Sequence, residues 1–201
     1  MRLVSFRHLR SSLSVFAVAV VLAAGPAAGE GPSGPAVTAG EAAERLAGLA
    51  DALAETRDPA VAAVLRQRLE AARAQSGSAT ADLLRVRAAQ ALAAGDSGLA
   101  VDLLDAAIVV APWWGGGRHL RGLVHLARGA TTAAREDLRA AVRAEPRDVP
   151  ALTLLAALEE SEGRPGEALG LLRRARAADP GNEEVVREID RLTPIVEGRA
   201  L

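Results

Sequence analysis

Residues 146–180 read PRDVPALTLLAALEESEGRPGEALGLLRRARAADP, with a proline at each end and Gly163 midway. The two stretches before it share the same frame. Pro112, Pro146 and Pro180 are 34 residues apart, and five further columns keep that spacing. They are Ala88, Gly122 and Ala156; Gly95, Gly129 and Gly163; Ala100, Ala134 and Ala168; Leu104, Leu138 and Leu172; and Ala107, Ala141 and Ala175. Six columns recurring three times without an insertion mark an internal repeat, and a period near 34 with small, aliphatic and proline columns suits a two-helix unit.

One amphipathic helix pair cannot bury its apolar face alone, so such units must stack. Small residues in the Ala88 and Ala100 columns let two helix axes approach closely. A larger side chain there would overpack the crossing, at a cost of roughly 1–3 kcal/mol. The leucine column fills the space between neighbouring units. The glycine column falls where the first helix of each unit should end, at a position that favours left-handed backbone. The prolines close each second helix, because proline lacks the N–H that a continuing helix needs.

The flanks predict caps on this stack. Thr38 and Glu41 have capping-box spacing ahead of Leu46, Leu49 and Leu53 on one helical face. Asp58–Pro59 opens a second helix with Val61, Val64, Leu65, Leu69 and Ala72 on one side. Residues 38–78 therefore read as a helical hairpin, a divergent cap rather than a fourth repeat. Three repeats follow across 79–181, at about 81–114, 115–148 and 149–182. Residues 182–201 form a capping helix and tail. Asn182 caps that helix, Glu183 and Glu184 open it, Val185, Val186, Ile189 and Leu192 give it an apolar side, and Pro194 is its expected stop.

The first 29 residues read as a secretory signal peptide. Arg2, Arg7 and Arg10 make a basic start, Leu13 to Ala24 is an apolar run, and Ala27 and Gly29 suit a cleavage site before Glu30. That run is shorter than the roughly 20 residues a spanning helix needs. The expected address is thus periplasmic or secreted, with an inner-membrane anchor on an uncleaved signal as the alternative and no membrane insertion after cleavage. The chain holds no cysteine, which excludes a lipid-modified N-terminus and disulfide support. Residues 30–37, rich in Gly and Pro, read as a flexible leader. Every basic residue is arginine, and the net charge of −1 becomes more acidic once the signal peptide's three arginines leave. A nucleic-acid partner, which calls for a net basic surface, is not expected.

The columns resemble the tetratricopeptide repeat, which implies an all-α solenoid, a right-handed superhelix of helix-turn-helix units. A narrower likeness covers nearly the whole mature chain: it resembles exported single-domain repeat proteins of alphaproteobacteria, of undefined role. The residues that carry it are Ser76-Gly77-Ser78-Ala79-Thr80-Ala81-Asp82-Leu83-Leu84, Ala94-Gly95-Asp96, Glu145-Pro146-Arg147 and Val196-Glu197-Gly198. The resemblance implies a binding surface rather than a reaction centre, hence a protein–protein adaptor for an extended peptide or helix, with a self-associating envelope scaffold as the alternative.

By family geometry, positions 2, 5, 9 and 12 of each first helix face the concave groove. Here they are Asp82, Arg85, Ala89 and Leu92; Gly116, His119, Leu123 and Leu126; and Pro150, Thr153, Ala157 and Glu160. The groove is expected to be small and apolar, basic at Arg85 and acidic at Glu160, and the hairpin or the last helix could instead fill it. Arg85 could stand for the lysine of a carboxylate clamp, but Ala89 replaces its asparagine, so the clamp is incomplete.

The second repeat departs from the family pattern at Arg118, where an aromatic is usual. Trp113 and Trp114 precede it, followed by Gly115, Gly116 and Gly117, which weaken a helix start by up to about 1 kcal/mol each relative to alanine. The tryptophans either fold back into the missing ring's space or offer an aromatic contact to a partner. Packing is expected for one, and the other stays open. His119 and His125 lie six apart on different helix faces, unlike a metal pair four apart, and His125 reads as a packed ring. Arg135, Arg139 and Arg143 read as a solvated face. No catalytic, cofactor or metal constellation is recognisable: neighbouring carboxylates such as Glu159 and Glu160 point to different faces.

Overall fold

The computed structural model describes residues 38–198; the expected signal peptide, the leader and the last three residues lie outside the described residues. Among the described residues there are nine helices and no strand: α1 (Ala39–Glu55), α2 (Pro59–Arg73), α3 (Ala79–Ala93), α4 (Ser97–Val110), α5 (Gly115–Ala127), α6 (Thr131–Ala144), α7 (Val149–Ser161), α8 (Pro165–Ala178) and α9 (Glu183–Glu197). No helix among them is long and apolar enough to cross a membrane. The pairs α3–α4, α5–α6 and α7–α8 are the three repeat hairpins, and α9 packs on α8.

The helix ends follow from side chains at the expected places. Thr38 and Glu41 close a reciprocal capping box on α1. Asp58 accepts from the Ala60 amide at 2.8 Å, Asp96 from Leu99 at 2.9 Å, Asp148 from Ala151 at 3.1 Å and Asn182 from Val185 at 3.2 Å. Each satisfies an amide that the first helical turn leaves free. Gly95, Gly129 and Gly163 have φ of 81°, 72° and 78°. Each sits in the same double-bonded C-terminal turn: Asp96 donates to the Ala91 carbonyl and Gly95 to Leu92, and the pattern recurs at Ala130–His125 and Arg164–Glu159.

The alanine and leucine columns are the core. Ala88, Ala100, Leu104, Ala107, Ala134, Leu138, Ala141, Ala168 and Ala175 are fully buried. At Gly122 a Cβ would lie 3.2 Å from Leu138 Cγ, so the crossing of α5 and α6 is already close. Four apolar clusters result, the largest running from α6 to α9. The α1–α2 hairpin has one of its own, built from Ala50, Leu53, Ala62, Leu65 and Leu69.

Helix α9 does not stop at Pro194 but runs to Glu197. The missing proline N–H falls in the final turn, where the carbonyl deprived of it belongs to exposed Asp190 and can face water. The preceding carbonyl, of Ile189, gains a bond from the Thr193 hydroxyl at 2.7 Å.

Candidate functional site

The twelve positions expected to face the groove divide into two halves along the first helices of the repeats. Toward the helix N-termini the protein's own chain lies against Asp82, Gly116 and His119, while Pro150 is exposed. Asp82 accepts from the Ser76 amide at 2.8 Å and so ties the α2–α3 linker to α3. Gly116 lies directly under the Arg73 carbonyl, which a Cβ at that site would strike. His119 is buried, with Nδ1 3.0 Å from Asp148 Oδ2. Arg85 is half-buried and its Nε has no partner, while the Thr153 hydroxyl donates to the Pro150 carbonyl at 2.9 Å. Toward the helix C-termini the face is more open. Ala89, Leu92, Leu123 and Leu126 are partly exposed, Ala157 is exposed, and Glu160 receives two bonds from Arg191 of α9, at 2.6 and 2.8 Å.

The occupied half rests on a buried ionic cluster. Arg73, at the end of α2, is 7% exposed and donates through Nε and Nη2 to Glu145, at 2.9 and 2.6 Å, with Asp148 at 3.7 Å. Burial works against a charged His119, yet the bond and charge of Asp148 outweigh it and raise the imidazole pKa above its ordinary value. Burial likewise pushes Asp148 up, but His119 and Arg73 more than reverse it and hold the carboxyl below the usual range. Glu145 goes the other way, since burial raises it by more than Arg73 recovers. Two cations and two carboxylates thus share one largely buried site, an arrangement costly to break by removing a single member.

The two tryptophans differ in burial. Trp114 is 4% exposed, packs with Ala81, Ala107 and Ala111, and donates Nε1 to the Arg73 carbonyl at 2.8 Å. Trp113 is 50% exposed and donates to the Ser76 carbonyl at 2.9 Å. Two of the three glycines are required here: a Cβ on Gly116 would strike the Arg73 carbonyl and one on Gly117 would sit 2.5 Å from Trp114 Cζ3, whereas one on Gly115 would meet the Ala144 methyl at 3.1 Å. The arginine face of α6 is not simply solvated. Arg135 pairs with Glu162, and Arg139 with buried Glu159 at 2.7 Å, which Arg164 also grips; Arg143 is exposed. No cluster of metal-ligating residues occurs among the described residues.

Residues 125–187 match the family profile of the tetratricopeptide repeat. That stretch carries the tetratricopeptide repeat. Solved repeat domains share the fold. The first tetratricopeptide-repeat domain of Spaghetti (RPAP3), solved with the HSP90 peptide SRMEEVD, is 17% identical, covers 59% of this chain and 96% of its own, and has a TM-score of 0.52. The TPR2B domain of yeast Sti1 in complex with pHsp70 is 25% identical over 57% of this chain and 94% of its own, at 0.50. The P58(IPK) repeat domain is 19% identical over 79% of this chain and 43% of its own, at 0.54. No curated protein matches the sequence.

Against the tetratricopeptide pattern, the residues missed in the sequence are Arg66, Arg73, Glu145, Asp148 and Asp179. Arg66 makes a two-pronged pair with Asp179, Nε to Oδ2 at 2.6 Å and Nη2 to Oδ1 at 2.8 Å. Arg147 reaches Asp51 of α1 at 2.5 Å and the Ala47 carbonyl at 3.3 Å. A signal was available: Ala111, Glu145 and Asp179 form a seventh 34-residue column, acidic in two of its three members. Its partners sit outside the repeat, so the repeat period alone does not point to them.

Proposed function

We propose that this protein is an exported, periplasmic adaptor that holds a short segment of a partner protein against the open half of its concave face, and that it binds rather than catalyses. The observation that carries this reading is the row Ala89, Leu123 and Ala157: small or aliphatic, partly or wholly exposed, and set on three successive first helices, with Leu92 and Leu126 beside them packed against the core. Such a row suits an extended peptide or the apolar side of a helix. Two of the similar structures are complexes, Spaghetti with an HSP90 peptide and yeast Sti1 with pHsp70, which supports a peptide-sized segment as the kind of ligand. Their acidic chaperone tails are not proposed here, because Ala89 stands where the clamp needs an amide. The signal-peptide layout of residues 1–29 supports the periplasmic address.

The test is photo-crosslinking in the native envelope, with the reactive residue at Leu123 and a control at exposed Arg143. A discrete adduct from Leu123 alone, lost when Ala157→Arg is added, is the expected result. Equal adducts at both positions, or none at Leu123, would remove the groove from consideration.

A second reading is self-association through the first repeat. Leu83, Val86, Leu99, Val110 and above all Val109, 80% exposed, leave that repeat with more bare apolar surface than a terminal unit usually shows. A sedimentation coefficient that rises with concentration in wild type and not in Val109→Glu would favour it.

A further inference from the structure

The α1–α2 hairpin meets the repeats along a line that the repeat pattern itself lays down. The turn that closes each repeat presents contacts to it. At the first, Trp113 and Trp114 donate to the Ser76 and Arg73 carbonyls. At the second, Glu145 and Asp148 face Arg73, and Arg147 reaches Asp51 and Ala47. At the third, Asp179 takes the fork of Arg66. Arg73 and Arg66 are seven residues apart, a rise of about 10.5 Å along a helix. Glu145 and Asp179 are one repeat apart, and each meets its own arginine directly. One heptad of α2 therefore measures one repeat of the stack.

What joins the two parts differs from what holds each together. The hairpin's apolar cluster is its own and does not merge with those of the repeats. Across the junction run ion pairs and tryptophan–carbonyl bonds, with α1 also lying against α8, beside a cleft of about 180 Å³ lined by Ala43, Leu46, Ala47, Trp113, Ala144 and Pro146. Charged groups can be taken over by water when such a surface parts, whereas a shared leucine core cannot.

We propose that the row of repeat-closing turns is a docking surface for a helix with cations one heptad apart, and that the α1–α2 hairpin occupies it as a detachable unit covering Gly116 and His119. Opening extends the exposed concave face from Leu123 toward the helix N-termini. That consequence rests on the adaptor reading, while the opening itself does not.

Hydrogen exchange on the full chain, followed peptide by peptide, tests it. Residues 39–73 should exchange together and faster than α5 to α8. Arg66→Ala should quicken 39–73 by roughly tenfold, with α5 to α8 unmoved. Arg66→Lys, which keeps the charge and loses the fork, should fall between. Adding Gln67→Arg to Arg66→Ala should restore nothing, since the cation is then out of register. Exchange of the hairpin at the same rate as α5 to α8 in wild type, or an Arg66→Ala effect spread evenly over all helices, would overturn the proposal. A silent crosslinker at Leu123 would count against the adaptor and leave the exchange result standing.

Discussion

Gly117 and Gly170 both lie inside helices, yet a methyl group should affect them in opposite directions. At Gly170 there is nothing within 4 Å of the added carbon, so Gly170→Ala should gain the ordinary helix preference, about 0.5–1 kcal/mol. At Gly117 the same carbon meets the Trp114 ring, which is packed on three alanines and tethered to the Arg73 carbonyl. Gly117→Ala should therefore lose roughly 1–3 kcal/mol to overpacking, and urea denaturation of the two variants would show midpoints on either side of wild type. His119 adds a dependence on pH. It faces Asp148, Arg73, Glu145 and Glu70, and its raised pKa means that the charged form belongs to the folded state. Its contribution is complete below the free imidazole value of about 6.5 and is lost as pH rises through the higher folded value. The midpoint of wild type should thus fall as pH rises above the free imidazole value of about 6.5, and His119→Gln should remove that part of the slope. A slope unchanged in the variant would place the titration elsewhere.

Helices were legible in the sequence where one residue decides an outcome. Thr38, Asp58 and Asn182 announce their helices because an oxygen of a short side chain is what an orphan amide needs, and Gly95, Gly129 and Gly163 announce the ends because few other residues accept that φ. Pro194 misleads for a local reason: a proline in the last turn deprives only one carbonyl, and that one is at the surface. The groove was legible as a set of positions but not as an open or covered set. His119 and Leu123 look alike on the family template, and only the placement of α2, decided by pairs 72 and 113 residues apart, buries the first. The arginines of α6 were hidden for the same reason, since their carboxylates belong to α7 and the turn after it.

For the stack as a whole, the C-terminal boundary is more firmly closed than the N-terminal one. Val185, Ile189 and Leu192 of α9 join the cluster that runs through α6, α7 and α8. Removing residues 183–201 should take away about 1.5–3 kcal/mol for each of these three side chains, and the urea midpoint should drop accordingly. An unchanged midpoint would mean that α9 is not a cap. At the other end the boundary is the hairpin, laid along the turns rather than across the end of α3 and α4, which is why Leu83 and Val109 stay bare. That placement couples two lengths that evolution could otherwise vary freely. A duplicated repeat, the usual way such stacks grow, would add a turn that α2 cannot reach unless it also gains seven residues with an arginine in phase. The hairpin acts on the stack as a ruler, and the fifteen residues of α2 are graduated for the repeats this chain has.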